Sequence, residues 1–168
     1  MTLRVGINGF GRMGRLVMRV LWPQQGVDIV RLNDPAGDAA VLAHLLNYDS
    51  VHGKWDREAV AGEGEMSIDG RRIAVCRNTP IEDTDWSDCD IVVEASGKFK
   101  TQARLAPYFD LGVERVVVTA PVKEDGVLDA VMGVNDGLYD PSIHRIVTAA
   151  SCTTNCLAPA IKVIHEGL

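Results

Sequence analysis

The chain has 168 residues, 46% of them apolar and 24% charged, and its net charge is −6. That length suits one domain with its own core, and an acidic balance without a Lys/Arg cluster excludes the usual phosphate-backbone binder of nucleic acid. No apolar run reaches a membrane span and no leader-like apolar segment opens the sequence, so a cytoplasmic location is expected.

In chain order, residues 3–7 read as a buried strand that runs into Gly9-Phe10-Gly11-Arg12-Met13-Gly14. This G-x-G-x-x-G follows a strand and opens a helix predicted over 11–21, the context that gives the pattern meaning. Gly9 can make the tight turn, Gly11 admits a pyrophosphate close to the backbone, and Gly14 lets the helix pack on the sheet. The free N–H groups of the helix start then face the anion. A second strand, 29–32, ends in Asn33-Asp34, and Asp34 stands twenty residues after Gly14. An acidic residue there suits the adenosine ribose hydroxyls and repels a 2′-phosphate, which favours NAD over NADP. Asp34-Pro35 also suits an ordinary turn.

A helix is predicted over 39–46, followed by a polar loop over 48–55. Residues 58–76 alternate between short runs and glycines, and Asp69-Gly70 is a hairpin-turn signal, so an antiparallel excursion is expected there. Strands over 91–94, 116–119 and 146–149 and a helix over 101–111 complete an alternating α/β order. That order predicts a mostly parallel sheet with helices on both faces.

The last strand meets Ser151-Cys152-Thr153-Thr154-Asn155-Cys156 and a helix predicted over 153–164. Cys152 would lie at a helix N-terminus, where unpaired N–H groups and the dipole favour a thiolate able to attack a carbonyl carbon. The four cysteines, Cys76, Cys89, Cys152 and Cys156, form no C-x-x-C pair and no histidine stands at a ligand-like interval. No metal site is expected, and free thiols fit a reducing compartment better than a disulfide framework.

Three segments, Asn8 to Arg15, Asn33-Asp34 and Ala150 to Cys156, closely resemble glyceraldehyde-3-phosphate dehydrogenase. Tyr48 to Gly53, Thr119-Ala120-Pro121 and Met132 to Asn135 match that family too, in register over the whole chain. The resemblance implies a Rossmann-type doubly wound NAD-binding domain over 1–150. It further implies that 151–168 is the nucleophile helix opening a catalytic domain. It makes Cys152 the nucleophile toward glyceraldehyde 3-phosphate, with Ser151 and Thr153 binding substrate phosphate or the attacking phosphate. Gly9, Phe10, Gly11, Arg12, Met13 and Asp34 would hold the dinucleotide, Arg77 would approach the adenine through its backbone, and Ser96, Gly97 and Thr119 would line the nicotinamide side. A homotetramer is implied, with His52 facing a neighbouring subunit.

Ala95, Lys98, Lys100 and the run Pro121 to Gly126 depart from the commonest family pattern. They suggest a paralogue, such as the arsenate-resistance form that would use arsenate in place of phosphate. Erythrose-4-phosphate dehydrogenase shares S-C-T-T-N-C, but Asn33-Asp34 and Thr119-Ala120-Pro121 fit the triose enzyme better. The resemblance reaches only the first half of the family's usual length, and the family's catalytic His belongs to the following domain. None of the resident histidines substitutes: His165 lies thirteen positions beyond Cys152 on one predicted helix, roughly 20 Å away. The family's far C-terminal helix packs back on this domain, so an exposed apolar face is expected without it. Three readings therefore stand: a phosphorylating dehydrogenase completed elsewhere, an NAD-binding module without turnover, and a redox-responsive thiol protein.

Overall fold

The computed structural model describes residues 2–167. Its elements are β1 (Leu3–Asn8), α1 (Arg12–Leu21), β2 (Val27–Asn33), α2 (Ala39–Asn47), β3 (Tyr48–Asp49), β4 (Gly53–Lys54), β5 (Ala59–Ala61), β6 (Glu65–Ile68), β7 (Arg71–Cys76), β8 (Ile91–Glu94), α3 (Gln102–Asp110), β9 (Arg115–Val118), β10 (Leu128–Asp129), β11 (Ile146–Thr148) and α4 (Cys152–Gly167). Nine strands form one sheet in the order β10-β11-β9-β8-β1-β2-β7-β6-β5, and β3 pairs with β4 as a separate ribbon. The pairs from β10 across to β7 are all parallel. This is the mostly parallel α/β sheet that the alternation predicts.

Residue-by-residue alternation sends the strand side chains to two cores. Val93 packs with Val5, Ile7, Ile29 and Leu32 on one face, against Met18 of α1 and Leu42 and Leu46 of α2. Its neighbour Val92 packs with Val116 and Val118 on the opposite face, against Leu105 and Tyr108 of α3. Period-two strands buried on both sides are what helices on both faces require. The sheet is therefore doubly wound.

The helices start where the chain supplies a cap. Asp38 accepts from the Val41 N–H at 3.0 Å and Thr101 from the Arg104 N–H at 3.4 Å. For α1 the cap is Gly11, which has no side chain to offer. The first N–H groups of α1 are thereby left for a ligand or water.

The excursion is antiparallel through β5 and β6, and Asp69 and Gly70 both have positive φ, 51° and 78°. Two such residues make the type I′ turn that a two-residue hairpin needs. The strand leaving that turn, β7, then pairs in parallel with β2. The departure predicted over 58–76 thus extends the main sheet by three strands. The two-residue strands β3, β4 and β10 are too short to show a period in sequence.

On the α1 side of the sheet, Val117, Val147, Leu128, Met132 and Tyr139 line an apolar groove of about 370 Å³. Met132 is 77% exposed. Helix α4 also has no buried residue, and Leu157, Ile161, Val163 and Ile164 are open to solvent.

Candidate functional site

The parallel strands point their carboxyl ends at one edge of the sheet. Chain connections leave β1 toward β2 on one side and reach β8 on the other, so the edge splits beside Asn8. Crevices of this kind, at the point where strand order reverses, are where open α/β sheets bind ligands. Here the crevice has a volume of about 230 Å³ and is lined by Gly9, Gly11, Asp34, Pro35, Asn78, Thr79, Ala95, Ser96 and Phe99, among others.

Local geometry explains two of the glycines. Gly9 has φ +90°, and a Cβ there would stand 2.4 Å from the Ser96 nitrogen. A Cβ on Gly14 would stand 2.1 Å from the Gly9 carbonyl oxygen, so the first turn of α1 lies hard against the β1 turn. At Gly11 a Cβ would meet nothing within 4 Å. That opening above unclaimed helix N–H groups fits a pyrophosphate.

Asp34 sits at the crevice end of β2, accepting from the Phe10 N–H at 2.6 Å and the Ala36 N–H at 2.9 Å. Each carboxylate oxygen retains a further lone-pair direction for a ribose hydroxyl. Phe10 contributes through that backbone N–H alone, because its side chain is 1% exposed in the core. Met13 and Arg12 are exposed on the first turn of α1, outside the crevice lining, and the Arg12 guanidinium reaches 3.9 Å from Asp49. Backbone N–H groups of His52 and Val51 hold the Asp49 carboxyl down at about 2. Arg77 lines a separate groove with Asp38 and Gly62, and its neighbours Asn78 and Thr79 line the crevice. Gly97 follows Ser96 with φ 71°. Thr119 lies at the same edge, its N–H donating to the Glu94 carbonyl at 3.0 Å.

A buried polar chain that the sequence reading missed runs under this floor. Asn33 donates to Asn8 Oδ1 at 2.8 Å and to the Asn78 carbonyl at 2.9 Å. Asn8 donates in turn to Glu94 at 2.8 Å and to the Tyr108 hydroxyl at 2.7 Å. Burial and the Glu94 carboxylate push the Tyr108 hydroxyl well above the usual phenol range. Polar residues closing apolar strands, at Asn8, Asn33 and Glu94, were the available signal.

Cys152 starts α4 immediately after β11, two strands from β8 along the same edge. At about 4.8 Å per strand the lateral offset from β8 is roughly 10 Å. The connection is tight: Ala150 has φ 54° and is buried, a left-handed conformation that costs a non-glycine residue about 1 kcal/mol or more. Thr148 Oγ1 accepts from the Ala150 N–H at 3.0 Å, and Asn155 donates to the carbonyls of Ala149 and Ser151. Ser151 caps α4 by accepting from the Thr154 N–H at 3.0 Å, and its hydroxyl also contacts Thr153 and Thr154. Cys152 is exposed, with hydroxyls on both sides of it in sequence.

The four cysteines are all unpaired, and no cluster of potential metal ligands occurs among the described residues. The histidines lie elsewhere. His165 is thirteen residues along α4 from Cys152, roughly 20 Å by helical rise. His144 precedes β11 at the opposite edge of the sheet, where its Nδ1 accepts from the Asp140 N–H at 2.9 Å. His44 lies in α2, beside Tyr48, and His52 in the turn between β3 and β4.

A family profile described as glyceraldehyde 3-phosphate dehydrogenase, NAD binding domain, matches residues 3–102. The chain is 53% identical to glyceraldehyde-3-phosphate dehydrogenase 3 of Nostoc sp., across all of this chain and 50% of that protein. It is 43% identical to the glyceraldehyde-3-phosphate dehydrogenase of Geobacillus stearothermophilus and 42% identical to that of Streptomyces coelicolor, each across 99% of this chain and 50% of the relative. The chain thus spans about half the length of the curated relatives it matches.

Proposed function

The chain belongs to the glyceraldehyde-3-phosphate dehydrogenase family, with NAD as its cofactor, and from that premise we propose that it is the NAD-binding and nucleophile-bearing part of an enzyme converting glyceraldehyde 3-phosphate and phosphate to 1,3-bisphosphoglycerate. The carrying observation is the shared sheet edge: the crevice lined by the glycine turn and Asp34 and an exposed thiol at a braced helix start open on the same side.

In this reading Gly9, Gly11 and the first turn of α1 bind the pyrophosphate. Asp34 takes the adenosine ribose, with Phe10 holding Asp34 in place and Arg12 and Met13 flanking the entry. The Arg77 backbone leads into the adenine end at Asn78 and Thr79. Ser96, Gly97 and Thr119 line the nicotinamide side, which strand order turns toward Cys152. Bound NAD supplies the hydride acceptor.

Cys152 Sγ attacks the aldehyde carbon and forms a hemithioacetal. Loss of hydride from that carbon, and of the hydroxyl proton to a base, leaves a thioester on Cys152. A phosphate oxygen then attacks the thioester carbon, the C–S bond breaks, and acyl phosphate leaves as the thiolate is restored. Ser151 and Thr153 offer hydroxyls to the phosphate groups. The base comes from outside this sequence, because each of its four histidines lies away from Cys152. Residues 1–150 form the dinucleotide domain and 151–168 begin the catalytic one. The whole enzyme works as a homotetramer, and four unpaired cysteines suit the cytoplasm.

A chimaera carrying the second half of the Nostoc relative after Leu168 tests the reading. NADH should form only with NAD, glyceraldehyde 3-phosphate and phosphate together, and Cys152→Ser should abolish it. The 168-residue chain alone should bind NAD without turnover. Equal NADH formation by the Cys152→Ser chimaera would refute the assignment, and a parallel reaction with arsenate identifies the preferred oxyanion.

A further inference from the structure

Glu94 closes β8 beneath the crevice and is 1% exposed. Its Oε2 accepts from Asn8 Nδ2 at 2.8 Å and from the Tyr108 hydroxyl at 2.7 Å. Its Oε1 accepts from the Ser96 N–H at 2.8 Å and from the Ser96 hydroxyl. A carboxylate offers about four lone-pair sites, so Glu94 has none left for a ligand. Both donors on Oε1 belong to one residue, and that residue lines the crevice. The same segment is pressed against the phosphate turn: Ala95 N–H donates to the Asn8 carbonyl at 2.7 Å, and the Ser96 backbone fills the space where a Gly9 Cβ would stand.

Strand order gives the crevice a direction. Asp34 and Asn78 lie at its β2 and β7 end, while Ser96 lies at its β8 end, next to the strands that lead to Cys152. A ligand that stops at the pyrophosphate meets Asp34 and the glycine turn. A ligand that continues beyond it meets Ser96. Tyr108 is wholly buried on α3 and reaches the crevice only through Glu94 and Asn8.

We propose that Glu94 is a positioning residue for NAD, anchored from inside the fold by Tyr108 and fixing the Ser96 wall that receives the nicotinamide half of the cofactor. The proposal rests on the crevice being the dinucleotide site and adds to it a buried control of affinity. Tyr108→Phe removes one oxygen from this device and keeps the ring that packs edge-on against Trp86. Glu94→Gln replaces one acceptor oxygen by a donor, which leaves either Ser96 or the Asn8–Tyr108 pair facing an N–H.

Calorimetric titration of the 168-residue chain with NAD and with ADP separates the roles. Tyr108→Phe should weaken NAD about threefold or more, because the competent Ser96 position is then only fractionally populated, and Glu94→Gln should weaken it at least as much. ADP affinity should fall less than NAD affinity in both variants, because ADP reaches only the glycine turn that Ser96 backs and not the wall beyond it. Adding Ser96→Ala to Glu94→Gln should cost little more, since the contact is already broken. Equal losses for NAD and ADP, or no loss of NAD, overturn the positioning role and leave the crevice assignment standing. A wild-type chain that binds neither ligand overturns the crevice assignment and the proposal with it. If Glu94→Gln does not fold, Tyr108→Phe alone decides the matter.

Discussion

Gly14→Ala and Gly11→Ala differ by three positions in one motif and should fail in opposite ways. The Gly14 Cβ would stand 2.1 Å from the Gly9 carbonyl oxygen, with the Gly9 carbonyl carbon at 3.1 Å and Ile7 Cγ2 at 3.4 Å. An ordinary carbon–oxygen contact is about 3.3 Å, so the start of α1 must lift by about 1 Å. The obstacle is backbone, which cannot rotate aside as a long side chain can. Overpacking of this kind costs about 1–3 kcal/mol, and the better helix propensity of Ala returns up to about 1 kcal/mol. With a 2.1 Å contact against backbone the cost lies at the upper end of that range, and a net loss of about 2 kcal/mol lowers Tm by about 4–8 °C in a chain of this size. Gly11→Ala meets nothing, and φ −65° with ψ −161° is open to alanine. Its poorer capping and its lower unfolded-state entropy offset each other to within about 0.5 kcal/mol. Its methyl group stands where the pyrophosphate must approach, so NAD affinity should fall about tenfold or more. Urea unfolding and NAD titration on both variants read the two effects separately. A wild-type unfolding midpoint for Gly14→Ala, or wild-type NAD affinity for Gly11→Ala, would refute the reasoning.

Asp34→Asn should weaken NAD and raise NADP affinity relative to it by about tenfold, because the carboxylate that repels a 2′-phosphate is gone; an unchanged NADP-to-NAD ratio by titration would count against Asp34 as the discriminator. Brief iodoacetamide treatment followed by peptide mass spectrometry should find label on exposed Cys152 and Cys156 before Cys89, which is 3% exposed and whose thiol burial pushes up to about 12. The same burial sets an alkaline limit. The unfolded Cys89 thiol loses its proton near its ordinary value of 9 and the folded one near 12. Stability from this group is therefore complete below about pH 9 and is lost as pH rises toward 12. Unfolding midpoints between pH 8 and 11 should fall more steeply for the wild type than for Cys89→Ala, and parallel slopes would contradict the assignment.

The parts of the fold readable in sequence were those whose periodicity is set by packing. Val92 and Val93 face opposite cores, and a strand buried on both sides has to look continuously apolar. The Asp69-Gly70 turn was legible because few residue pairs tolerate two positive φ values. That β7 would rejoin the parallel sheet was not legible, since a strand's sequence does not name its second neighbour. At the site, the glycines and Asp34 stood out because close approach and charge restrict the residue allowed. Glu94, Asn8 and Asn33 did not, because a buried polar residue at a strand end looks the same as a turn residue until its partners are known. Arg77 was chosen by register, and in the structure it lines a groove separate from the crevice that Asn78 and Thr79 line.

Both rims of the nine-stranded sheet are stubs. One ends in β10, two residues long, and the other in β5, three residues long, which packs beside α2. A rim that short presents too few free N–H and C=O groups to template another strand. Copies of this chain are therefore poorly suited to joining edge to edge into a shared, continuous sheet, and association at high concentration should use side-chain faces rather than strand pairing.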